Sequence, residues 1–316
     1  MSTVPAPPPR PAAPTPVEAA VGVVDASPSA DAPAKTGPVT TEPVHAKRRG
    51  PGRNLPAAIA VGLALAGVLL GALFLFPPAF PVLVGVIMVL AVLELTRALG
   101  HGGLRVPAVP LLVGVVGMTV STVVFDQEGL LVSTAVAVCV LILWRVTESM
   151  GLSALRDVAG GVFCLVWIAF LGSFTLLLHG REDGALLVLL AVLGPVGNDV
   201  GGYITGVLFG SHPMAPTISP KKSWEGFAGS LLLGTSGVAA LGHLVLDLPL
   251  WVAIALGVVL VVVSTAGDLA ESLLKRDLGI KDMGHLLPGH GGVLDRVDSI
   301  LLAAPTTYIL LEVLLP

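Results

Sequence analysis

Charge is scarce in this chain. Of its 316 residues only 12% are Asp, Glu, Lys or Arg, while 54% are hydrophobic; soluble domains carry about 25% charge. That balance sets the chain in a membrane. The net charge of −4 says little, because the charges are segregated along the sequence. Cysteine is nearly absent. Cys139 and Cys164 both lie inside apolar runs, offer no zinc spacing, and read as small core residues rather than a disulfide. No apolar segment directly follows the initiator methionine, so a secretory signal is not expected. No internal repeat is visible.

What is present falls into two parts. Residues 1–50 hold 11 prolines among Ala, Ser, Thr and Val. Such a segment cannot bury enough apolar surface to offset its ordering entropy, so 1–54 reads as a disordered, Pro/Ala-rich cytoplasmic tail. Lys47, Arg48, Arg49 and Arg53 close it. From 55 to 316 the expectation is one membrane-embedded domain: an all-α, polytopic helical bundle of about nine transmembrane helices. The apolar runs fall near 56–76, 79–97, 107–125, 129–147, 158–178, 185–208, 226–246, 250–266 and 299–315. Each has the roughly 17 to 25 residues that crossing about 30 Å of hydrocarbon requires. Turn pairs such as Asp126-Gln127 and Glu182-Asp183 mark the short loops between them.

Lys and Arg positions give an orientation. With the tail in the cytoplasm, Arg97, Arg105, Arg145, Arg156, Lys221, Lys222, Lys275, Arg276, Lys281 and Arg296 fall on the same side, and only Arg181 falls opposite. The C-terminus is then outside a multi-pass cell membrane protein.

One polar stretch, 267–299, breaks the apolar pattern. Ionisable groups packed against a membrane span mark a functional site by default. Asp268, Glu271 and Lys275 occupy i, i+3, i+7, one face of a helix continuing from the preceding run. Asp295 and Asp298 repeat the i, i+3 spacing at the start of the last run. Between them, His290, Gly291 and Gly292 let backbone approach a ligand closely. Two acidic helix ends around a basic, glycine-bearing loop describe a metal site that handles phosphates. Two further stretches face the same side: Asn198-Asp199 with Gly201, Gly202 and Tyr203, and Ser219-Pro220-Lys221-Lys222-Ser223-Trp224-Glu225-Gly226. A lysine pair beside a serine at a helix start can hold phosphate by charge and by helix amides.

These residues carry a resemblance. Ser272…Lys275-Arg276, then Lys281-Asp282, Pro288-Gly289-His290-Gly291-Gly292 and Asp295-Arg296-Val297-Asp298 resemble the signature of the CDP-diacylglycerol synthases, or phosphatidate cytidylyltransferases. The segments 267–271 and 219–226 resemble the family as well. Asn198-Asp199…Tyr203 fits more loosely, since Gly202 stands where the family usually has alanine. The resemblance is dense over about 194–305, topological before that, and absent from the tail.

It implies transfer of a cytidylyl group from CTP to phosphatidate at a lipid bilayer, giving CDP-diacylglycerol and pyrophosphate, with Mg²⁺ on Asp268 and Asp295. Lys281, Arg296 and Asp298 join those two as catalytic candidates. Asp199, Ser219, Lys221, Lys222, Ser223, Glu271, Lys275, Arg276, His290, Gly291 and Gly292 are the substrate-binding candidates. A second, monovalent cation and a homodimer are both compatible with it, and no nucleic-acid partner is expected. Blander readings stand beside these. Asp199 can merely cap or kink its helix, Glu271 and Lys275 can be a structural pair, and Trp224 can be an interfacial anchor. Two rival functions are an ion-coupled transporter, which usually shows repeats and midplane charges, and a CDP-alcohol phosphotransferase, whose DGxxAR-like run is missing here.

Overall fold

A computed structural model describes residues 55–148, 151–284, 286 and 291–315; the expected tail 1–54 and His290 lie outside these. The helices are α1 (Leu55–Leu70), extended by a π turn at Gly71–Leu75; α2 (Ala79–His101); α3 (Ala108–Glu148); α4 (Leu152–Cys164) and α5 (Leu171–His179), joined through a π segment at Leu165–Phe170; α6 (Gly184–Phe209); α7 (Trp224–Leu244); α8 (Leu250–Asp277); and α9 (Leu294–Leu314). Among the described residues seven helices are long and apolar enough to cross a membrane, counting α3 once and Leu152–His179 as one.

The 41-residue α3 is a hairpin of two arms. Phe125 and Asp126 leave helical geometry at the expected turn, Asp126 with φ 51°. A methyl on Gly114 would sit 3.0 Å from Ala137 Cβ, so the arms run antiparallel. The other expected turn is also present, with Asp183 at φ 56° opening α6. Short Asp side chains tolerate this left-handed region better than most residues. Cys139 and Cys164 are free thiols.

One departure from an all-helical chain is a two-stranded antiparallel ribbon, β1 (Pro213–Ala215) with β2 (Ser219–Ser223). It inserts between α6 and α7, and apolar periodicity carries no signal for it, because neither strand has a face to bury.

The core runs through α2, α3, the α4–α5 segment, α6, α8 and α9, with Leu95, Leu111, Met118, Ile168, Leu190, Leu260 and Ala304 buried. Large apolar residues such as Val82, Val113, Leu143, Val207 and Leu232 point outward, as a lipid-facing belt requires. Glycine sets the closest approach, between α6 and α7. A methyl on Gly197 would lie 2.4 Å from Gly234 Cα, and one on Gly201 2.5 Å from the Gly229 carbonyl. Small residues let membrane helices approach backbone to backbone where lipid supplies no hydrophobic drive. Lateral hydrogen bonds then fix the rotation: Ser230 Oγ donates to the Asn198 carbonyl at 2.6 Å, and Thr265 Oγ1 to Asn198 Oδ1 at 2.9 Å. Asn198 is thereby held against α7 and α8, and Asp199 beside it is exposed.

Candidate active site

The site is built where the ribbon, the C-terminal turns of α8 and the first turns of α9 meet. Ser223 ends β2 in an extended conformation and caps α7, its Oγ accepting from Gly226 N at 3.0 Å. Glu225 accepts from the Ser211 and His212 amides and pairs with His212 Nδ1 at 2.5 Å. So anchored, the ribbon turns its two lysines different ways. Lys221 is exposed. Lys222 points inward, its Nζ 2.6 Å from Asp268 Oδ2. That amine and Asp199, Asn198, Tyr203, Ser230 and Thr265 line a cavity of about 160 Å³.

Helix α8 continues past its apolar run, and this places the expected face. Asp268 receives Ser272 Oγ at 3.3 Å. One turn on, buried Glu271 accepts from Lys275 Nζ at 2.9 Å, and the same amine reaches Asp295 Oδ1 on α9 at 2.8 Å. The other Asp295 oxygen accepts from the Met283 and Gly292 amides at 3.0 and 2.8 Å. Lys275 therefore ties α8 to α9, which is more than the in-helix pair that its spacing with Glu271 suggests. Asp298, also buried, accepts from its neighbour's amide and faces Glu271. Asp268, Asp298, Lys222 and Arg296 are the charges facing Asp199.

The remaining candidates sit at the rim. Arg276 Nε lies 3.4 Å from the Ile218 carbonyl, between the strands of the ribbon. Ser219 pairs with Ala215 in the ribbon. Helix α8 stops at Gly279, whose φ of 68° allows Ile280 N to return to the Lys275 carbonyl at 2.9 Å. Lys281 follows on the exposed surface. Gly291, with φ 85°, bends backbone around Asp295, and a methyl there would sit 3.0 Å from Oδ2. His290 lies outside the described residues.

Could this set hold Mg²⁺? Among the described residues no three His, Cys, Asp or Glu side chains form a metal cage. Mg²⁺ rarely uses such a cage. It takes one or two carboxylates and completes its shell with water and substrate phosphates. Part-exposed Asp268, with Asp199 and Asp298 near it, suits an ion that arrives with a nucleotide. Asp295 contributes charge from a more committed position, both its oxygens being already engaged.

Residues 56–314 match the model of the cytidylyltransferase family. The chain belongs to that family. Among curated relatives, the phosphatidate cytidylyltransferase of Mycobacterium leprae is 43% identical over 278 residues, 83% of this chain and 89% of that protein. The Mycobacterium tuberculosis H37Rv protein of the same name is 39% identical over 300 residues, covering 89% and 92%. The one from Staphylococcus saprophyticus is 32% identical over 267 residues, covering 82% and 98%. Membership in the cytidylyltransferase family accounts for the whole bundle, since the match begins at the first helix.

One residue of this cytidylyltransferase escaped the motif reading. Glu94, on α2, is 1% exposed, and its Oε2 accepts from Leu294 N at 2.9 Å. The signal was available, because Glu94 is the one acid inside the 79–97 apolar run. It was hidden by lying 200 residues away from the segment it touches.

Proposed function

We propose that this membrane protein transfers the cytidylyl group of CTP to phosphatidate, yielding CDP-diacylglycerol and pyrophosphate for phospholipid synthesis. The observation that carries the reading is the pairing of Lys222 with Asp268 and of Lys275 with Asp295, at one end of a bundle matched along its length by the family. Both reactants are anions, so neutralising charge is the first task of the site.

A phosphate oxygen of the lipid attacks the α-phosphorus of CTP, and pyrophosphate leaves. That oxygen is already ionised near neutral pH, so no strong general base is needed. Lys221, Lys222, Arg276, Lys281 and Arg296 serve the triphosphate and the lipid phosphate. Asp199, Ser219, Ser223, Glu271 and Lys275 shape the pocket around them. His290, Gly291 and Gly292 contact the ligand, and Asp298 supports the acids. Asp268 and Asp295 would hold Mg²⁺ together with substrate phosphates; when bound, the ion draws charge from the phosphate oxygens. We place the site at the cytoplasmic face of the cell membrane, with nine crossings and an external C-terminus, on the strength of the Lys/Arg asymmetry.

The test uses membranes from overexpressing cells, phosphatidate, and CTP labelled in the α-phosphate. Label should enter a lipid product one-for-one with released pyrophosphate. Pyrophosphate release without lipid labelling, or neither, overturns the proposal.

A further inference from the structure

Helix α9 begins badly on its own terms. The first turns of any helix leave backbone amides without partners, and Val293, the residue before α9, has no side-chain oxygen to offer them. The acceptor comes from α2, as Glu94 Oε2 at 2.9 Å from Leu294 N. A carboxylate there also suits the positive end of the helix dipole.

The same carboxylate seats the loop before α9. A methyl on Gly284 would lie 2.3 Å from Glu94 Oε1, and one on Gly292 2.5 Å from Oε2, so both glycines rest directly on the acid. Asp295 grips nearly the same backbone from the other side, through the Met283 and Gly292 amides. Residues 283–284 and 292 are thus clamped between two carboxylates from different helices. Glu94 Oε1 is buried with no hydrogen-bond partner among the described residues. Keeping an acid so placed costs stability, and a locking task accounts for it.

We propose that Glu94 is a positioning residue: it fixes the backbone at Gly284 and Gly292 and the start of α9, and through them the orientation of Asp295. This rests on the reading of Asp295 as a site residue. Glu94 itself needs no contact with substrate.

The full-length protein in detergent micelles tests this with two readouts, amide hydrogen exchange over 283–295 and turnover with CTP and phosphatidate. In Glu94→Ala, exchange at Leu294 should rise about tenfold, since one hydrogen bond closes that amide. Turnover should fall by roughly a hundredfold, the penalty of a displaced catalytic group, with the KM for phosphatidate little changed. Glu94→Gln keeps an acceptor for Leu294 N and should recover both protection and most turnover. If Glu94→Ala does not accumulate, Gly284→Ala pushes this backbone off the acid while keeping the acid itself, and should raise exchange over 283–295 and slow turnover likewise. Unchanged exchange in these variants overturns the proposal, as does a loosened loop with wild-type turnover. So does a Glu94→Gln protein that keeps its protection yet is as slow as Glu94→Ala, for then charge rather than position is used. Asp295→Asn, run alongside, separates the two readings: wild-type turnover in that variant removes Asp295 from the site while the exchange results stand.

Discussion

Lys222 and Lys275 hold Asp268 and Asp295 at 2.6 and 2.8 Å, so these two acids are paired before any substrate arrives. Removing one partner from a buried pair costs more than the pair itself contributes, because the other charge is stranded, typically by about 3–5 kcal/mol. Lys275→Met strands Glu271 and Asp295 together, and should lower the thermal inactivation midpoint measurably as well as abolish turnover. Lys222→Met, whose partner is part-exposed, should cost little stability but raise the KM for CTP. A midpoint shift in Lys222→Met as large as in Lys275→Met would refute that distinction. For the acids, Asp268→Asn and Asp295→Asn should each lose two or more orders of magnitude in turnover at matched membrane levels. If they serve one ion, the double change costs little beyond the worse single, and added Mg²⁺ partly rescues the singles. Multiplicative losses, or near-normal activity in either single, would mean that they do not share it. Motif spacing put Asp268, Glu271 and Lys275 on one face, and that face is where it was expected. Spacing within a motif says nothing about partners across helices, so the Lys275–Asp295 tie, the Lys222–Asp268 pair and the whole role of Glu94 were not readable from it.

Between helices, the α6–α7 seam is the least forgiving element. Gly197→Val would drive its side chain into the Gly234 backbone, where even a methyl has 2.4 Å, whereas Gly237 on the same α7 has nothing within 4 Å. Gly197→Val should abolish activity and sharply reduce membrane abundance, and Gly237→Ala should match wild type in both. Equal behaviour of the two would show that the seam is looser than described. Arg145 and Asp157 form a second fixed point, both buried, with Asp157 also accepting from Arg105 N at 2.7 Å. Charge counting assigned Arg145 to a loop side only. It did not reveal that the cation is paired, because the acid sits 12 positions on, in the next helix. The turn residues were better signalled, since Asp126 and Asp183 both take the positive φ that marks a tight reversal.

Across the whole molecule, the membrane class follows from composition alone, while sidedness rests on the Lys/Arg pattern and calls for its own test. A reporter active only outside the cytoplasm should work when fused at the C-terminus and be silent within 212–222; the reverse pattern means a miscounted crossing. Deleting 2–46 while keeping Lys47, Arg48 and Arg49 should leave specific activity near wild type, and loss of most of it would assign the tail a function. The length of α8 has a further consequence. Its 28 residues at about 1.5 Å each make roughly 42 Å, longer than the ~30 Å of hydrocarbon, and Asp268 falls about 27 Å from the start. With the start of α8 at one edge of the hydrocarbon, Asp268 lies close to the other edge, and on the proposed function a phosphatidate molecule would react without leaving its leaflet. Such an enzyme samples its lipid in two dimensions: turnover should follow the mole fraction of phosphatidate in the bilayer and stay constant when vesicles of fixed composition are simply diluted in buffer.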